Sequence, residues 1–585
     1  MDRISVKAIT AMISSGSPRL PISPRENGSV RLADKSSRLQ VDVVPAPWEH
    51  DCERRLKEAV AIGNLHLVIG DYTEPGVSEN GGRCANATLF DVDLLRGRVR
   101  AITSLVGLPP LVLQKCEQFS ALCCPFMPSS GMVSGVDIEG VADSLRWGHP
   151  LDGRTIFRGV KVVPPHSVVS LEVGKSAEIE PWEPRPSTQP FEALSQEQLV
   201  DAQIEAMFAA VSRLPSSGAF LSLSGGLDSR AASVVLLSQG RRVPCVSMAG
   251  SQYSLDARLA SQFCAIHNVA HKIIEFGDDY IKRLPELAMR AATITGGVAC
   301  LSQTIDLYMY SQLDSAHHIR ISGHLGNQVG RGGVESIAVA SLSEQIFSNE
   351  LRLALERRPR EPWFVARMAE AGYASVLFDQ EVHYWSVANY MLGSSCVLQL
   401  SPYGDVTLIE LAREGMSRDA RFRAPTKVSI RRRDMRHRVF GPPRHRSFQR
   451  TILSRYADGK DTVPINWGWR ARGGWSVRWS PAVLRAATDA VAWKLGRQYK
   501  PLKAPMMRLS GALGRPSALV AWPDMIEGPL RGLVYDVLLS KKVAESGLFE
   551  MSNLRHVLEE HFRARVNHHA TIYRAMEIGL GLIAR

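Results

Sequence analysis

The feature that most constrains the fold is a glycine-containing loop between a predicted strand and a predicted helix. Residues 219–223 are a short apolar run typical of a buried strand, and residues 230–239 carry apolar side chains at helical spacing. Such a junction directs backbone N–H groups and a helix N-terminus at one point, which favours an anion. The alternative is an ordinary strand–helix turn without a ligand. The loop itself, called loop 224–229 below, consists of Ser224, Gly225, Gly226, Leu227, Asp228 and Ser229.

The side chains of loop 224–229 indicate which ligands the loop could bind. The hydroxyls of Ser224 and Ser229 are further donors to an anion, and Asp228 could hold a cation that neutralises phosphate. The Gly-Lys-Ser/Thr of the Walker-type loop is missing. The six residues resemble the pyrophosphate loop of the N-type ATP pyrophosphatases, which form an acyl-adenylate and release pyrophosphate. This resemblance implies that all six residues contact ATP and that Mg²⁺ accompanies it.

Strands and helices alternate after this loop. Apolar runs at 243–248, 271–276 and 318–321 predict three more strands, and residues 256–267 predict a helix between the first two of them. Such alternation favours right-handed βαβ units and a parallel sheet, which binds ligands outside the carboxyl ends of its strands. Met248 ends one predicted strand, so we expect it at the nucleotide.

A second loop follows the last of these strands and reads Ser-Gly-His-Leu-Gly-Asn-Gln at 322–328. Asparagine-synthetase-like enzymes carry Ser-Gly-Glu-Gly-Ser-Asp-Glu here, and the chain resembles them. The resemblance implies that Ser322 and Gly323 contact the nucleotide. It also places Asn327 where the family has an Asp that shares magnesium with the loop aspartate, here Asp228. Because an amide is a weaker ligand for a hard cation than a carboxylate, either Asp228 holds the metal with phosphates and water or turnover is reduced.

His324 falls where the resemblance places an active-site Glu, or a Tyr in β-lactam synthetases. A histidine with a pKa near neutrality is suited to accept a proton from an attacking amine. The alternative is a polar loop histidine without chemistry. Further along, residues 469–475 resemble the family's R-x-K-x-x-F, so Arg472 takes the place of the lysine that stabilises the adenylation transition state. Arg and Lys differ in geometry, and Lys427 or Arg470 are alternatives.

The N-terminal part resembles the glutamine amidotransferase domain of asparagine synthetases over residues 60–183. That family uses a Cys directly after the initiator Met, whereas this chain reads Met1-Asp2-Arg3 and has no Cys before Cys52. We therefore expect a domain that does not hydrolyse glutamine. Residues 15–50, rich in Ser, Pro and Arg, are predicted to be a poorly ordered arm.

The resulting fold class is α/β with two domains, 1–190 and 191–585. The first is expected to be an Ntn-hydrolase-like α+β sandwich of the glutaminase type. The second is expected to be a parallel-sheet domain of the adenine-nucleotide α-hydrolase type, with helical C-terminal cover. The chain of 585 residues is long enough for two cores, and its hydrophobic content of 45% is that of a globular protein.

Composition excludes several function classes. No apolar run approaches the roughly 18 residues of a membrane span. Nine scattered cysteines form no disulfide or zinc pattern and predict reduced thiols in a cytoplasmic protein.

The net charge of +12 is concentrated in residues 418–455, with thirteen Lys and Arg against two acidic residues. This segment could bind nucleic acid, a polyphosphate or an acidic peptide, or be a solvated loop; because aromatic residues are few, nucleic acid is disfavoured.

These expectations converge on an ATP-dependent carbon–nitrogen ligase. Without ammonia from glutamine, the attacking amine is expected to belong to the substrate. The family contains two such enzymes, the β-lactam synthetases and the lasso peptide cyclases, which join an N-terminal amine to an Asp or Glu side chain. We favour the cyclase because His324 replaces the β-lactam synthetase Tyr; the resemblance then implies a leader-peptide-binding protein and a leader protease as partners. The alternatives are an ammonia-dependent asparagine synthetase, a nucleic-acid-modifying pyrophosphatase and an inactive peptide-binding scaffold.

Overall fold

The computed structural model describes most residues of the chain. These are 4–14, 30–33, 39–45, 56, 64–70, 87–116, 119–125, 127–128, 135–182, 191, 194–250, 254–335, 340–359, 362–419, 422, 447–459, 463–465, 522–563 and 566–585.

Sixteen strands fall within the described residues. They are β1 Ile4–Ser14, β2 Val30–Ala33, β3 Leu39–Pro45, β4 Asn64–Gly70, β5 Ala87–Asp93, β6 Arg98–Ile102, β7 Val112–Lys115, β8 Phe119–Cys124, β9 Val160–Val162, β10 Ser167–Glu172, β11 Glu178–Pro181, β12 Ala219–Ser222, β13 Cys245–Ala249, β14 His271–Glu275, β15 Ile319–Ile321 and β16 Leu398–Leu400.

The helices are numbered in the same way. They are α1 Ile138–Trp147, α2 Gln196–Arg213, α3 Leu227–Ser238, α4 Leu255–His267, α5 Asp278–Thr295, α6 Cys300–Ser311, α7 Gly326–Arg331, α8 Asn349–Glu356, α9 Trp363–Ala371, α10 Tyr373–Ser375, α11 Val382–Ser394, α12 Val406–Arg418, α13 Phe448–Tyr456, α14 Trp522–Glu527, α15 Arg531–Leu538, α16 Lys541–Glu545, α17 Met551–Phe562 and α18 His569–Ile583. Short 3₁₀ turns at Glu344–Ile346 and Pro402–Gly404 and a π-helical segment at Val376–Glu381 complete the set.

The strands before residue 182 form a largely antiparallel sheet of eleven strands. Its main path runs β11-β10-β6-β5-β4-β1-β8-β7-β9, with β3 on β1 and β2 on β3. Strand β1 links two parts of this sheet, because its first residues pair in parallel with β4 and the rest pair antiparallel with β3 and β8. Apolar side chains from both parts, such as Leu67 and Leu122, share one buried cluster.

The expectation of a poorly ordered arm at residues 15–50 is wrong for two segments. Strands β2 and β3 lie within that range and pair with each other, and β3 also pairs with β1. The reason is visible in β3, where Leu39, Val41 and Val43 alternate along the strand and are fully buried. A two-residue period of apolar side chains therefore outweighed a composition that favoured disorder.

The second sheet has five strands that are all parallel, in the order β14-β13-β12-β15-β16. From β12, the chain adds β13 and β14 on one side of the sheet. It then adds β15 and β16 on the other side of β12. The change of direction between β12 and β15 is the switch point at which parallel sheets bind ligands. The α/β class and the predicted parallel sheet are confirmed.

Helices connect the strands of the parallel sheet, as the alternation in the sequence predicted. Ser195 caps α2, and the reciprocal bonds of a capping box with Gln198 are both present. The predicted helix after loop 224–229 starts three residues earlier than expected, at Leu227, since the end of the loop forms its first turn. Helices α14 to α18 supply the expected C-terminal helical cover. The described cysteines are all free thiols, as predicted, and most are buried.

One buried cluster joins the two ends of the chain. Ile156 and Phe157 from the N-terminal part share it with Ile572 and Met576 of α18. The backbone N–H of Met127 also donates to the carbonyl of Ile294 in α5. In the described part of the chain, no helix combines the length and apolar character that crossing a membrane requires.

Candidate functional site

A cleft of about 320 Å³ lies at the carboxyl ends of β12, β13 and β15, where the strand order reverses. This volume is in the range of small-molecule sites. Most of the predicted site residues meet here. The lining consists of Ser222, Leu223, Ser224, Gly226, Asp228, Ser229, Val246, Met248, Asp256, Arg320, Ser322, Gly323, His324, Asn389 and Gln399.

Loop 224–229 directs several donors toward the cleft. The N–H of Gly225 donates to Oδ1 of Asp256 at 3.1 Å, and the N–H of Gly226 donates to Oγ of Ser224 at 3.2 Å. Both N–H groups therefore already donate to oxygen atoms of the protein. Gly226 stands before α3 and provides no side chain to its first N–H groups. The arrangement can accept an anion, because a helix N-terminus and oriented amides favour negative charge.

A buried arginine that the sequence analysis did not single out holds the back of this loop. Arg230 is 0% exposed, and its guanidinium donates to the carbonyls of Gly225 and Gly226 at 3.1 Å each. It also donates to the carbonyls of Val463 and Pro464 at 3.0 Å. Because the carbonyls of Gly225 and Gly226 accept these bonds, Arg230 fixes the backbone conformation of the loop.

The second loop packs directly on the first, and two glycines make this possible. A Cβ on Gly323 would lie 2.7 Å from the backbone nitrogen of Ser229. A Cβ on Gly326 would lie 2.6 Å from Cβ of Asp228. Any other residue at either position would separate the two loops, so the glycines set the width of this part of the cleft.

The carboxylate of Asp228 is paired with an arginine that the sequence analysis also did not single out. Nη1 and Nη2 of Arg331 donate to Oδ1 and Oδ2 of Asp228 at 2.8 and 2.9 Å. Nε2 of Gln449 donates to the same Oδ1 at 3.0 Å. Both carboxylate oxygens therefore face N–H donors.

Asn327, the second predicted magnesium ligand, belongs to the same network. Its Oδ1 accepts from Nε of Arg331 at 3.1 Å, and its Nδ2 donates to Oε1 of Glu335 at 2.8 Å. A hard cation needs oxygen ligands directed at it, and here the oxygens of Asp228 and Asn327 are directed at a guanidinium. Asp228 and Asn327 do not fit a protein-held Mg²⁺. The described residues also contain no cluster of three or more His, Cys, Asp or Glu able to hold a metal.

His324 also lines the cleft and has different neighbours. Its Nε2 is 2.9 Å from Oγ of Ser386, and its ring stacks on Trp385 at 5.6 Å with an 8° angle between planes. Tyr390 meets the ring edge-on at 5.4 Å. Burial, with a smaller contribution from the charge of Arg320, lowers the pKa of His324 to about 4. The expectation of a pKa near neutrality is thus wrong, since desolvation disfavours the imidazolium.

The floor of the cleft is a charged hydrogen-bond network. Arg320 donates to Oδ1 of Asp306 at 2.9 Å and to Oγ of Ser222 at 2.7 Å. Asn389 extends the network by donating from Nδ2 to Oδ2 of Asp306 at 3.0 Å. Arg320 and Asp306 are buried and paired, so they fix the shape of the floor.

The remaining predicted residues have different positions. Gly225 is not among the residues that line the cleft, although its N–H donates to Asp256, and Leu227 is buried in the hydrophobic core. Arg472 and its alternatives Lys427 and Arg470 lie outside the described residues, as does most of the basic segment 418–455. Asp405 caps α12 and pairs with Arg213. The chain matches no protein-family model and no curated protein.

Proposed function

We propose that this protein activates a carboxylate with ATP and joins it to an amine, as asparagine-synthetase-like ligases do. The single observation that carries the proposal is the meeting of loop 224–229 with Ser322 and Gly323 around one cleft at the switch point of the parallel sheet. These are the loops that the family resemblance assigns to the nucleotide. On this proposal, the parallel-sheet part is a pyrophosphatase-type domain and the antiparallel part is a glutaminase-like domain.

The proposed reaction has two steps. A substrate carboxylate oxygen attacks the α-phosphorus of ATP, so that an acyl-adenylate forms and pyrophosphate leaves. An amine nitrogen then attacks the acyl carbon, AMP leaves, and the amine loses one proton. In the first step, the N-terminus of α3 and the loop amides favour the negative charge of the phosphates.

His324 has a restricted role in this scheme. A group with a pKa of about 4 is neutral at pH 7, and it holds an abstracted proton only weakly. We assign it the positioning of the acceptor amine, because its ring is fixed by Ser386 and Trp385. We propose a peptide as substrate, with its own N-terminal amine as the nucleophile. Trp385 is 44% exposed next to His324 and offers an apolar surface to such a chain.

The test is pyrophosphate release from ATP with Mg²⁺ present. One arm offers a leaderless peptide with a free N-terminal amine and an internal Asp or Glu, and the other offers aspartate with ammonium. Release that requires the peptide, with a product lighter by one water, supports the cyclase. We expect Asp228→Asn to reduce this rate at least about tenfold, because the variant loses the carboxylate that holds the guanidinium of Arg331 beside the loop.

A control variant separates loss of function from loss of an ion pair in general. Arg367→Ala removes an exposed pair with Asp152 away from the cleft, and we expect it to leave the rate unchanged. Release with aspartate and ammonium alone would replace the cyclase by an asparagine synthetase. Absence of release with both substrates, although ATP binds, would contradict a ligase.

A second candidate function is a nucleotide-binding peptide scaffold without turnover. The specific observation in its favour is the pairing of Asp228 with Arg331, together with the amide at Asn327. This candidate predicts ATP binding without pyrophosphate release. The same assay distinguishes the two, provided that ATP binding is measured on the same preparation.

A further inference from the structure

Arg331 ends α7, and its side chain reaches back to the start of α3. The contact with Asp228 is bidentate, with both donor–acceptor distances below 3 Å, and a third bond joins Nε to Asn327. Such paired geometry gives stronger and more directional bonds than a single contact. Both partners are largely buried, with side chains 17% and 21% exposed, so solvent screens the pair only in part.

The rest of the network keeps this arginine in place. Gln449 is fully buried and donates to both Oδ1 of Asp228 and the carbonyl of Gly326, at 3.0 and 2.7 Å. The hydroxyl of Tyr403 donates to the backbone carbonyl of Asp228 at 2.8 Å. The contacts of Gln449 and Tyr403 thus hold Asp228 in the orientation that pairs its carboxylate with Arg331.

We propose that the guanidinium of Arg331 is the counter-cation of loop 224–229, in place of a divalent metal held by the protein. This inference rests on the proposed function, in which the loop binds the phosphates of ATP. A lone carboxylate in the first turn of α3 would repel a triphosphate, and the charge of Arg331 balances it. Because residue 327 is an uncharged Asn, it adds no second negative charge for Arg331 to balance. The substrate class is therefore a nucleoside triphosphate that this loop binds without Mg²⁺.

The experiment measures the affinity for ATP by calorimetry in two buffers, one with Mg²⁺ and one with EDTA. For the wild type, we expect the two dissociation constants to agree within about threefold. For Arg331→Ala, we expect a loss of about tenfold or more in EDTA, because Asp228 is left to repel the phosphates, and partial recovery with Mg²⁺. Arg367→Ala, which removes an exposed pair elsewhere, is expected to match the wild type in both buffers.

A second measurement keeps the inference testable if Arg331→Ala does not fold. Electron paramagnetic resonance reports free Mn²⁺, and we expect the wild type without nucleotide to leave the Mn²⁺ signal unchanged. One bound Mn²⁺ that disappears in Asp228→Asn would overturn the inference. So would wild-type ATP binding that requires Mg²⁺, and either result leaves the proposed function standing. Failure to bind ATP in both buffers would overturn the proposed function, and the inference with it.

Discussion

At the scale of single residues, the site depends on arginines whose partners are distant in sequence. Arg230 satisfies four backbone carbonyls, and Arg331 satisfies one carboxylate and one amide. A buried guanidinium is stable only when its donors are paired. Here the donors of each arginine bond to two segments that are distant from each other in sequence. These arginines therefore define the shape of loop 224–229 as much as its glycines do.

We expect Arg230→Ala to destabilise the protein by at least about 3 kcal/mol, because it leaves several buried carbonyls without a donor. Chemical denaturation followed by circular dichroism measures this change. Arg96→Ala is the control, since Arg96 is 80% exposed and we expect a change below about 0.5 kcal/mol. Equal stability of the two variants would contradict a structural role for Arg230.

At the scale of elements, the two loops of the site act as one unit because their backbones touch. Loop 224–229 belongs to the turn between β12 and α3, and Gly323 belongs to the turn between β15 and α7. Strands β12 and β15 pair in parallel, so their carboxyl ends present both turns side by side. A shift of either turn is transmitted to the other through the contact at Gly323.

We expect Gly323→Ala to weaken ATP binding by about tenfold, since its Cβ would meet the backbone of Ser229 at 2.7 Å and force the loops apart. Calorimetric titration with ATP measures this effect. The matched control is Gly415→Ala inside α12, where a Cβ would meet nothing within 4 Å. The control is expected to bind ATP normally and to gain about 0.5–1 kcal/mol in stability. Unchanged ATP binding in Gly323→Ala would contradict coupling of the loops.

The predictability of these elements from the sequence was uneven, for physical reasons. Four of the five strands of the parallel sheet were predictable because each is a short stretch rich in apolar residues that is followed by Gly or a polar residue, whereas the three-residue strand β16 was not predicted. Strand β3 was missed because the Ser and Pro residues around it masked its two-residue alternation. Partners of Asp228 were missed because Arg331 and Gln449 lie 103 and 221 residues away in sequence, where no local period connects them.

The chemistry of the predicted residues was harder to foresee than their positions. His324 lies in the cleft as the loop pattern indicated, but its pKa depends on the packing of Trp385 and Tyr390, which come from α11. Asn327 was expected beside a metal, and the arginine that binds it could not be inferred from residue type alone. The sequence therefore indicated several residues that line the cleft, and tertiary contacts decided which charges they carry.

At the scale of the whole molecule, buried histidines link the antiparallel part to the helices of the second part. His383 of α11 packs against the backbone of Gly107, and burial lowers its pKa to about 4. His149, which stacks near Trp363 and Tyr384, has its pKa lowered by burial to about 3. Both rings are neutral in the folded protein at pH 7.

We expect the free energy of unfolding to fall less with acid in His383→Gln than in the wild type. Between about pH 6.5 and 4, the unfolded state binds a proton at His383 that the folded state does not, so this group loses stability as the pH falls. Denaturant titrations of both proteins across this window measure the difference. The comparison of the two proteins isolates the contribution of His383 from that of Asp143. Burial raises the pKa of Asp143 to about 6, so its contribution to stability changes with pH in the opposite direction. Parallel curves would contradict the prediction.

The shared core of Ile156 and Ile572 has a consequence for synthesis on the ribosome. The apolar surface around Ile156 is complete only when α18 has been made, more than four hundred residues later. At typical translation rates of about 5–20 residues per second, this surface waits roughly 20 to 80 seconds for its partner. The nascent N-terminal part therefore exposes apolar side chains throughout that interval, and its yield in the cell should depend on chaperones that bind such surfaces.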